Sequence, residues 1–181
     1  NKGGDMKILQ IAVGFIPEQI QVCLDSWKQY AQEHDIDYEL ITEFPEPYAS
    51  LPCDNRCKSN WLRVDMLLTE PYTWYADWDT QPLSEIPFPD HPVFVPYMDN
   101  CLYFGNDLEF AKRLRAKMGD MQNRCRLVPV IFEAFRKIFM EDFKLSGETN
   151  YKVWLLEKSR YKDWFLQHGI IEHLNFSRSE L

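Results

Sequence analysis

The chain lacks several features, and each absence removes a class of protein. It has no excess of positive charge: 20 Lys and Arg face 28 Asp and Glu, a formal net charge of −8. Affinity for a polyanion comes mainly from Lys and Arg displacing counterions, so this balance argues against a nucleic-acid partner. No run approaches the roughly 20 apolar residues of a membrane span. The start, Asn1–Asp5, is polar and carries no apolar segment of a secretion signal. The expectation is that Met6 is the natural start and Asn1–Asp5 a cloning remnant. Cys53 and Cys57 could be half of a zinc site, but no second Cys/His pair stands at ligand spacing, and His91 is isolated in a proline-rich turn. The five cysteines, Cys23, Cys53, Cys57, Cys101 and Cys125, are odd in number and scattered. That pattern predicts reduced thiols and a cytoplasmic protein. There is no repeat, low-complexity tract or composition shift, so 181 residues read as one domain.

What is present suits a packed core. Hydrophobic residues make up 45% of the chain and aromatics 15%, which excludes disorder as the expectation. A chain this long buries about two-thirds of its unfolded surface and needs no covalent staples. Lys7–Val13 is a short apolar run ending at Gly14, the pattern of a buried strand. Pro17 opens a helix to about Glu33, with Ile20, Cys23, Leu24, Trp27 and Ala31 on one face. Asp37–Thr42 alternates as a second strand. This strand–helix–strand order is a βαβ unit and predicts an α/β layer fold.

Pro45, Pro47 and Pro52 mark residues 44–57 as a loop. A second helix is expected over Lys58–Leu68, burying Trp61, Val64 and Leu68, with Pro71 beyond its end. Thr73–Thr80 is rich in strand formers. Short strands are expected at Val93–Pro96 and Cys101–Phe104, around a turn at Asp99-Asn100. Helices are expected at Asp107–Met118, Leu127–Phe143 and Tyr151–Gln167, and a last strand at Ile170–Phe176.

The chemistry concentrates at Asp77-Trp78-Asp79. If this is strand, the two carboxylates share a face at roughly 7 Å. Asp is rare inside strands, and such conflicts with local propensity gather at functional sites. Paired carboxylates repel one another, and a divalent cation between them removes that cost. All-oxygen ligation favours Mg²⁺ or Mn²⁺ over zinc. The competing reading is that the strand has already ended and both carboxylates are solvated turn residues. Asn60 and Arg63 lie at i and i+3 on the second helix, and Arg offers a fixed fork of donors for a diphosphate or sugar hydroxyls. A salt-bridged surface Arg would look the same in sequence. In open α/β sheets ligands bind at the carboxyl ends of strands, so Ala12, Val13 and Gly14 would share a crevice with the Asp pair.

The stretch Lys58-Ser59-Asn60-Trp61-Leu62-Arg63, a helix, and then Trp74-Tyr75-Ala76-Asp77-Trp78-Asp79 resembles the core of the DxD glycosyltransferases. Within them it is most similar to the sugar-binding-region family (family 32-like), which includes yeast initiating mannosyltransferases and bacterial capsular transferases; clostridial glucosylating toxins share the pattern. Ser26-Trp27 also resembles a pair in that family's first helix. The likeness covers about residues 7–110. It departs where Asn60 replaces the family's Asp and where Pro71-Tyr72-Thr73 replaces Gly-Gly. The first-strand His-Gln-x-Trp is reduced to Gln10, and the chain is short, with little room for an acceptor-binding subdomain.

The resemblance implies a GT-A-like (Rossmann-like) α/β domain: a mixed, mostly parallel sheet with helices on both faces. It implies a metal-dependent, retaining transfer of sugar from a UDP- or GDP-sugar to a glycan, lipid or protein acceptor. Asp77, Asp79 and Arg63 would be catalytic. Ala12, Val13, Gly14, Asn60, Arg63, Asp77, Trp78 and Asn100 would hold the donor, and His173 would join Asp77 and Asp79 on Mn²⁺ or Mg²⁺. Three alternatives stay open at this point. One is a catalytically inactive sugar-nucleotide or glycan-binding protein of the same fold. Another is a glycoside hydrolase, which Asp77 and Asp79 on a single strand are poorly placed to serve. The third is a metal-dependent phosphohydrolase or nuclease.

Overall fold

The computed structural model describes residues 6–69, 73–86, 95–96, 102–104, 108–125, 130–131, 133–134, 137–138 and 171–173; for 95–96, 102–104, 110 and 171–173 it describes the backbone alone. The chain folds as an α/β layer structure. Its main sheet has the order β2-β1-β3-β6-β5. The strands are β1 (Lys7–Ile11), β2 (Asp37–Ile41), β3 (Thr73–Ala76), β5 (Val95–Pro96) and β6 (Leu102–Phe104). β1 runs parallel to β2, with Ile8 opposite Tyr38, and to β3, with Ile8 opposite Trp74. β6 and β5 follow antiparallel on the β3 edge. A separate antiparallel pair joins β4 (Thr80–Pro82) to β7 (Ile171–His173).

β1 is buried on both faces because helices cover both. Ile8 packs with Trp27, Tyr30 and Trp74 under α1 (Glu18–Glu33). Leu9 and Ile11 pack with Trp61, Val64 and Tyr75 under α2 (Asn55–Thr69). Alternation along the pleat therefore sends neighbouring residues into different cores. Trp27, Trp61, Trp74 and Tyr75 are fully buried. Each such ring adds on the order of 1.5–3 kcal/mol of burial, which makes this double layer the main source of stability.

Pro17 sits at the N-cap of α1 rather than in its first turn, with φ −62°. The helix ends in a residue of left-handed conformation, Asp35 at φ 54°, while the Ile36 N–H donates to the Ala31 carbonyl at 2.9 Å. α2 begins at Asn55, ahead of the expected Lys58. The reason is Asp54, whose Oδ1 accepts from the Cys57 N–H at 2.8 Å and caps the helix. α3 (Leu108–Met118) lies against α2, tied by Arg115 Nε to Asp65 Oδ1 at 2.5 Å. The short α4 (Met121–Arg124) follows, capped by Asp120. Helical backbone at 130–131, 133–134 and 137–138 falls within the expected Leu127–Phe143 helix and buries Val130, Ile131, Ala134 and Ile138. The expected helix over Tyr151–Gln167 and the turn at Asp99-Asn100 lie outside the described residues. Among the described residues no helix is long and apolar enough to cross a membrane.

Candidate functional site

The expected strand over Thr73–Thr80 is broken. β3 stops at Ala76, Trp78 and Asp79 form a turn, and β4 starts at Thr80. Asp77 and Asp79 therefore do not share one face of a continuous strand. They flank Trp78 in a tight turn at the carboxyl end of β3, beside the carboxyl end of β1. The turn forms because Thr80 doubles back: its N–H lies 3.3 Å and its hydroxyl 2.7 Å from the Asp77 carbonyl. Thr80 Oγ1 thus competes with the ladder bond that a strand would have made.

A connected set of side chains leads from this turn to α2. Asp77 Oδ1 accepts from the Trp78 N–H and from the Tyr75 hydroxyl, each at 3.2 Å. The Arg63 guanidinium lies 5.1 Å from the centre of the Tyr75 ring, within cation–π range. Arg63 also donates to Asn60 Oδ1 at 2.5 Å. Arg63 is only 3% exposed. The reading of Arg63 as a surface residue, left open by the sequence, is overturned: the buried face of α2 is broad, running through Cys57, Asn60, Trp61, Leu62, Arg63, Val64 and Leu67. Tyr75 is the link that sequence reading missed. Burial pushes its hydroxyl well above its ordinary pKa, the Asp77 carboxylate adds to that, and Arg63 opposes it. The phenol therefore remains a donor toward Asp77.

Ala12, Val13 and Gly14 follow β1 into the same edge. Trp78 packs against the cluster of Ala12, Ile20 and Leu24. Asn55, in the first turn of α2, donates from Nδ2 to the Val13 carbonyl at 3.3 Å. Gly14 has φ +98°, a backbone conformation that residues with a Cβ rarely adopt, so any other residue would strain this corner. Asp79 is 5% exposed, whereas Asp77 and Trp78 are half-buried. His173 stands opposite Thr80, the residue after Asp79, in the β4–β7 register. The His173 side chain, and all of Asn100, lie outside the described residues. Among the described side chains, no group of three His, Cys, Asp or Glu is arranged to hold a metal ion.

Sequence reading also missed the company of Cys53. It packs against the core cluster that holds Cys125, which α4 delivers. Burial is the main cause raising Cys53 to about 12 and Cys57 to about 11. Thiols held protonated in this way pack as small apolar groups.

No family model and no curated protein matches the sequence. Solved structures do match the fold. One is the crystal structure of a glycosyltransferase involved in the glycosylation of the major capsid of PBCV-1. It superposes with a TM-score of 0.54 at 10% identity, covering 97% of this chain and 97% of that one. Another is the PaToxG glycosyltransferase, at a TM-score of 0.43 and 14% identity over 86% of this chain and 76% of that chain. The chain thus has an α/β fold of the glycosyltransferase type. At 10% identity the likeness is one of fold, and it does not reach the donor, the metal or the reaction.

Proposed function

We propose that the chain is a glycosyltransferase that uses a nucleotide-diphosphate sugar. The observation that carries this reading is the meeting of two carboxylates and a buried arginine at one sheet edge. Asp77 and Asp79 lie in the turn after β3, and Arg63 reaches that turn through Tyr75. The full-length match to a glycosyltransferase fold supports it.

The donor set suits a hard divalent cation. Two carboxylates of one turn supply oxygen ligands, the preference of Mg²⁺ and Mn²⁺. The diphosphate, water and His173 would complete the shell. When bound, the cation would offset charge on the departing nucleotide. Asp79 would be its direct ligand, and Asp77 would contact the ribose or the metal's water. Arg63 would place fixed positive charge toward the diphosphate, with its guanidinium held by Asn60 and the Tyr75 ring. Gly14 would let the base approach the backbone after β1, and Trp78 would border it. Asn100 would touch the donor sugar. We place the protein in the cytoplasm, with a glycan, lipid or protein as acceptor.

A catalytically inactive sugar-nucleotide-binding protein is the second reading. Asn60 favours it, since a neutral amide now faces Arg63 where the resembled family has a carboxylate. Slow hydrolysis of a bound donor separates the two readings. The first test is a thermal-shift screen of UDP- and GDP-sugars with and without Mn²⁺. Ligand at a hundred times Kd adds about 2.7 kcal/mol, an ample signal. Asp79→Ala should fold and lose the Mn²⁺-dependent part of the shift. An Asp79→Ala protein that binds Mn²⁺ and nucleotide as the parent does puts the metal elsewhere.

A further inference from the structure

The Asp77-Trp78-Asp79 turn is held from behind by groups that touch neither carboxylate. Gln10 is fully buried in β1, where an apolar residue would cost nothing in packing. Its Nε2 donates to the Asp77 carbonyl at 3.2 Å. Its Oε1 accepts from the Tyr38 hydroxyl at 2.8 Å. The Asp77 carbonyl can only accept, so it fixes which way the amide points: turned over, Gln10 would set its own carbonyl oxygen against it. The Tyr38 hydroxyl then anchors the Oε1 end. Burial and the nearby Asp25 carboxylate raise Tyr38 to about 12, so the phenol keeps its proton through the neutral range.

A second arm comes from α1. Trp27 Nε1 donates to both the Thr80 carbonyl, at 2.9 Å, and Thr80 Oγ1, at 3.0 Å. With its lone pair so engaged, the Thr80 hydroxyl directs its proton to the Asp77 carbonyl, 2.7 Å away. The Asp77 carbonyl is thus met by Gln10 Nε2, Thr80 N–H and Thr80 Oγ1. A main-chain acceptor fixed in this way sets the path of the turn and leaves the carboxylates clear of the clamp.

We propose that Gln10 and Thr80, oriented by Tyr38 and Trp27, are positioning residues that preset this turn for the cation. The proposal rests on the functional reading above and adds to it the residues that shape the site without touching a ligand. Preset ligands matter because a loosely held site must order its ligands as it binds.

Thr80→Val removes the hydroxyl at nearly constant volume, Thr80→Ser keeps it, and Tyr38→Phe removes the hydroxyl that anchors Gln10 Oε1. Val130→Ala, in the core under α2, serves as the merely destabilised control. The first readout is amide exchange of the metal-free protein. Thr80→Val and Tyr38→Phe should speed exchange at the Thr80 N–H by about tenfold, the factor that matches one neutral hydrogen bond. Thr80→Ser and Val130→Ala should leave it near the parent rate. The second readout is the Mn²⁺ concentration at half of the thermal shift, measured with UDP and with GDP. It should rise about tenfold in Thr80→Val and Tyr38→Phe, and not in Thr80→Ser or Val130→Ala. Parent-like exchange and parent-like Mn²⁺ midpoints in both Thr80→Val and Tyr38→Phe overturn the proposal. If the parent itself gives no Mn²⁺ response, the metal reading falls, and the exchange experiment alone decides for or against the clamp.

Discussion

Asp77 is gripped from two sides, and the two grips are chemically unlike. From the α1 side come Gln10, Trp27 and Thr80, all neutral and all directed at main-chain carbonyls. From the α2 side comes the line of Asn60, Arg63 and Tyr75, which carries charge and ends on the Asp77 carboxylate. A neutral bond to a carbonyl cannot respond to a ligand's charge, so it suits shape. A guanidinium stacked on a phenol that donates to a carboxylate responds to any anion or cation placed nearby. On the function proposed above, the first side would set the form of the turn and the second would serve affinity.

The most severe way to break this contrast is Trp27→Ala. Trp27 is fully buried against Tyr30 and Trp74, and it holds Thr80. The loss expected is about 3–5 kcal/mol of folding stability, read from urea unfolding. A loss below about 1 kcal/mol would show that α1 does not shape the turn. Arg63→Ala tests the other side. It should weaken nucleotide-sugar binding by about 1.5–3 kcal/mol, the range for a hydrogen bond to a charged group. Because Arg63 is buried, some stability goes with it, so titration calorimetry on the folded fraction is the measurement. Unchanged affinity with a large drop in melting temperature would assign Arg63 to the fold alone.

The contrast also shows which features were legible in the sequence. β1, α1 and β2 were, because each is written in a local pattern: an apolar run, a helical stripe behind Pro17, an alternating pentad. The start of α2 was not, because Asp54 caps it from inside a proline-rich stretch that reads as loop. The pair Asp77 and Asp79 could be found by its composition, yet its turn could not. A threonine hydroxyl folding back on the Asp77 carbonyl is one bond among strand formers. Arg63 was visible as a donor but not as buried, since its burial depends on Tyr75 arriving from another strand. Cys125 meets Cys53 only through tertiary packing, and no spacing encodes that. Gln10 was noticed only as the remnant of a first-strand motif, and its partners Tyr38 and Asp77 lie on two other segments.

The two sides differ again in what titrates. Near α2 the Cys57 thiol is raised from 9.0 to about 11, chiefly by burial and then by Asp54. Near α1 the Tyr38 phenol is raised from 10.0 to about 12. A raised pKa means that the folded state keeps a proton the unfolded chain releases. The stability involved is fully present below pH 9, and it drains away as pH climbs through the folded values. Alkali should therefore loosen the α2 side first. Between pH 9 and 10 the fall in urea midpoint should shrink in Cys57→Ser and persist in Tyr38→Phe. Equal behaviour of the two variants would erase this part of the contrast.

The smallest effect expected is a gain, at the opposite end of the α1 side. Asp35 closes α1 in left-handed conformation at φ 54°, one residue before Ile36, which packs into the core with Tyr30 and Ala31. The Ile36 N–H reaches back to the Ala31 carbonyl, the arrangement in which glycine is favoured at this position. Asp tolerates that conformation better than most residues but still carries strain that glycine lacks. Against this, glycine makes the unfolded chain more flexible. The balance for Asp35→Gly should be a stabilisation of about 0.5 kcal/mol, or a few degrees in melting temperature. Asp35 leads into β2 at its amino end, and β1 and β3 run parallel to β2, so it stands at the sheet edge opposite the Asp77–Asp79 turn. Nucleotide and Mn²⁺ affinity should accordingly be unchanged. A variant that gains stability while losing affinity would mean that α1 transmits its ending to Trp27 and the turn, and that form and affinity are not separable on this side.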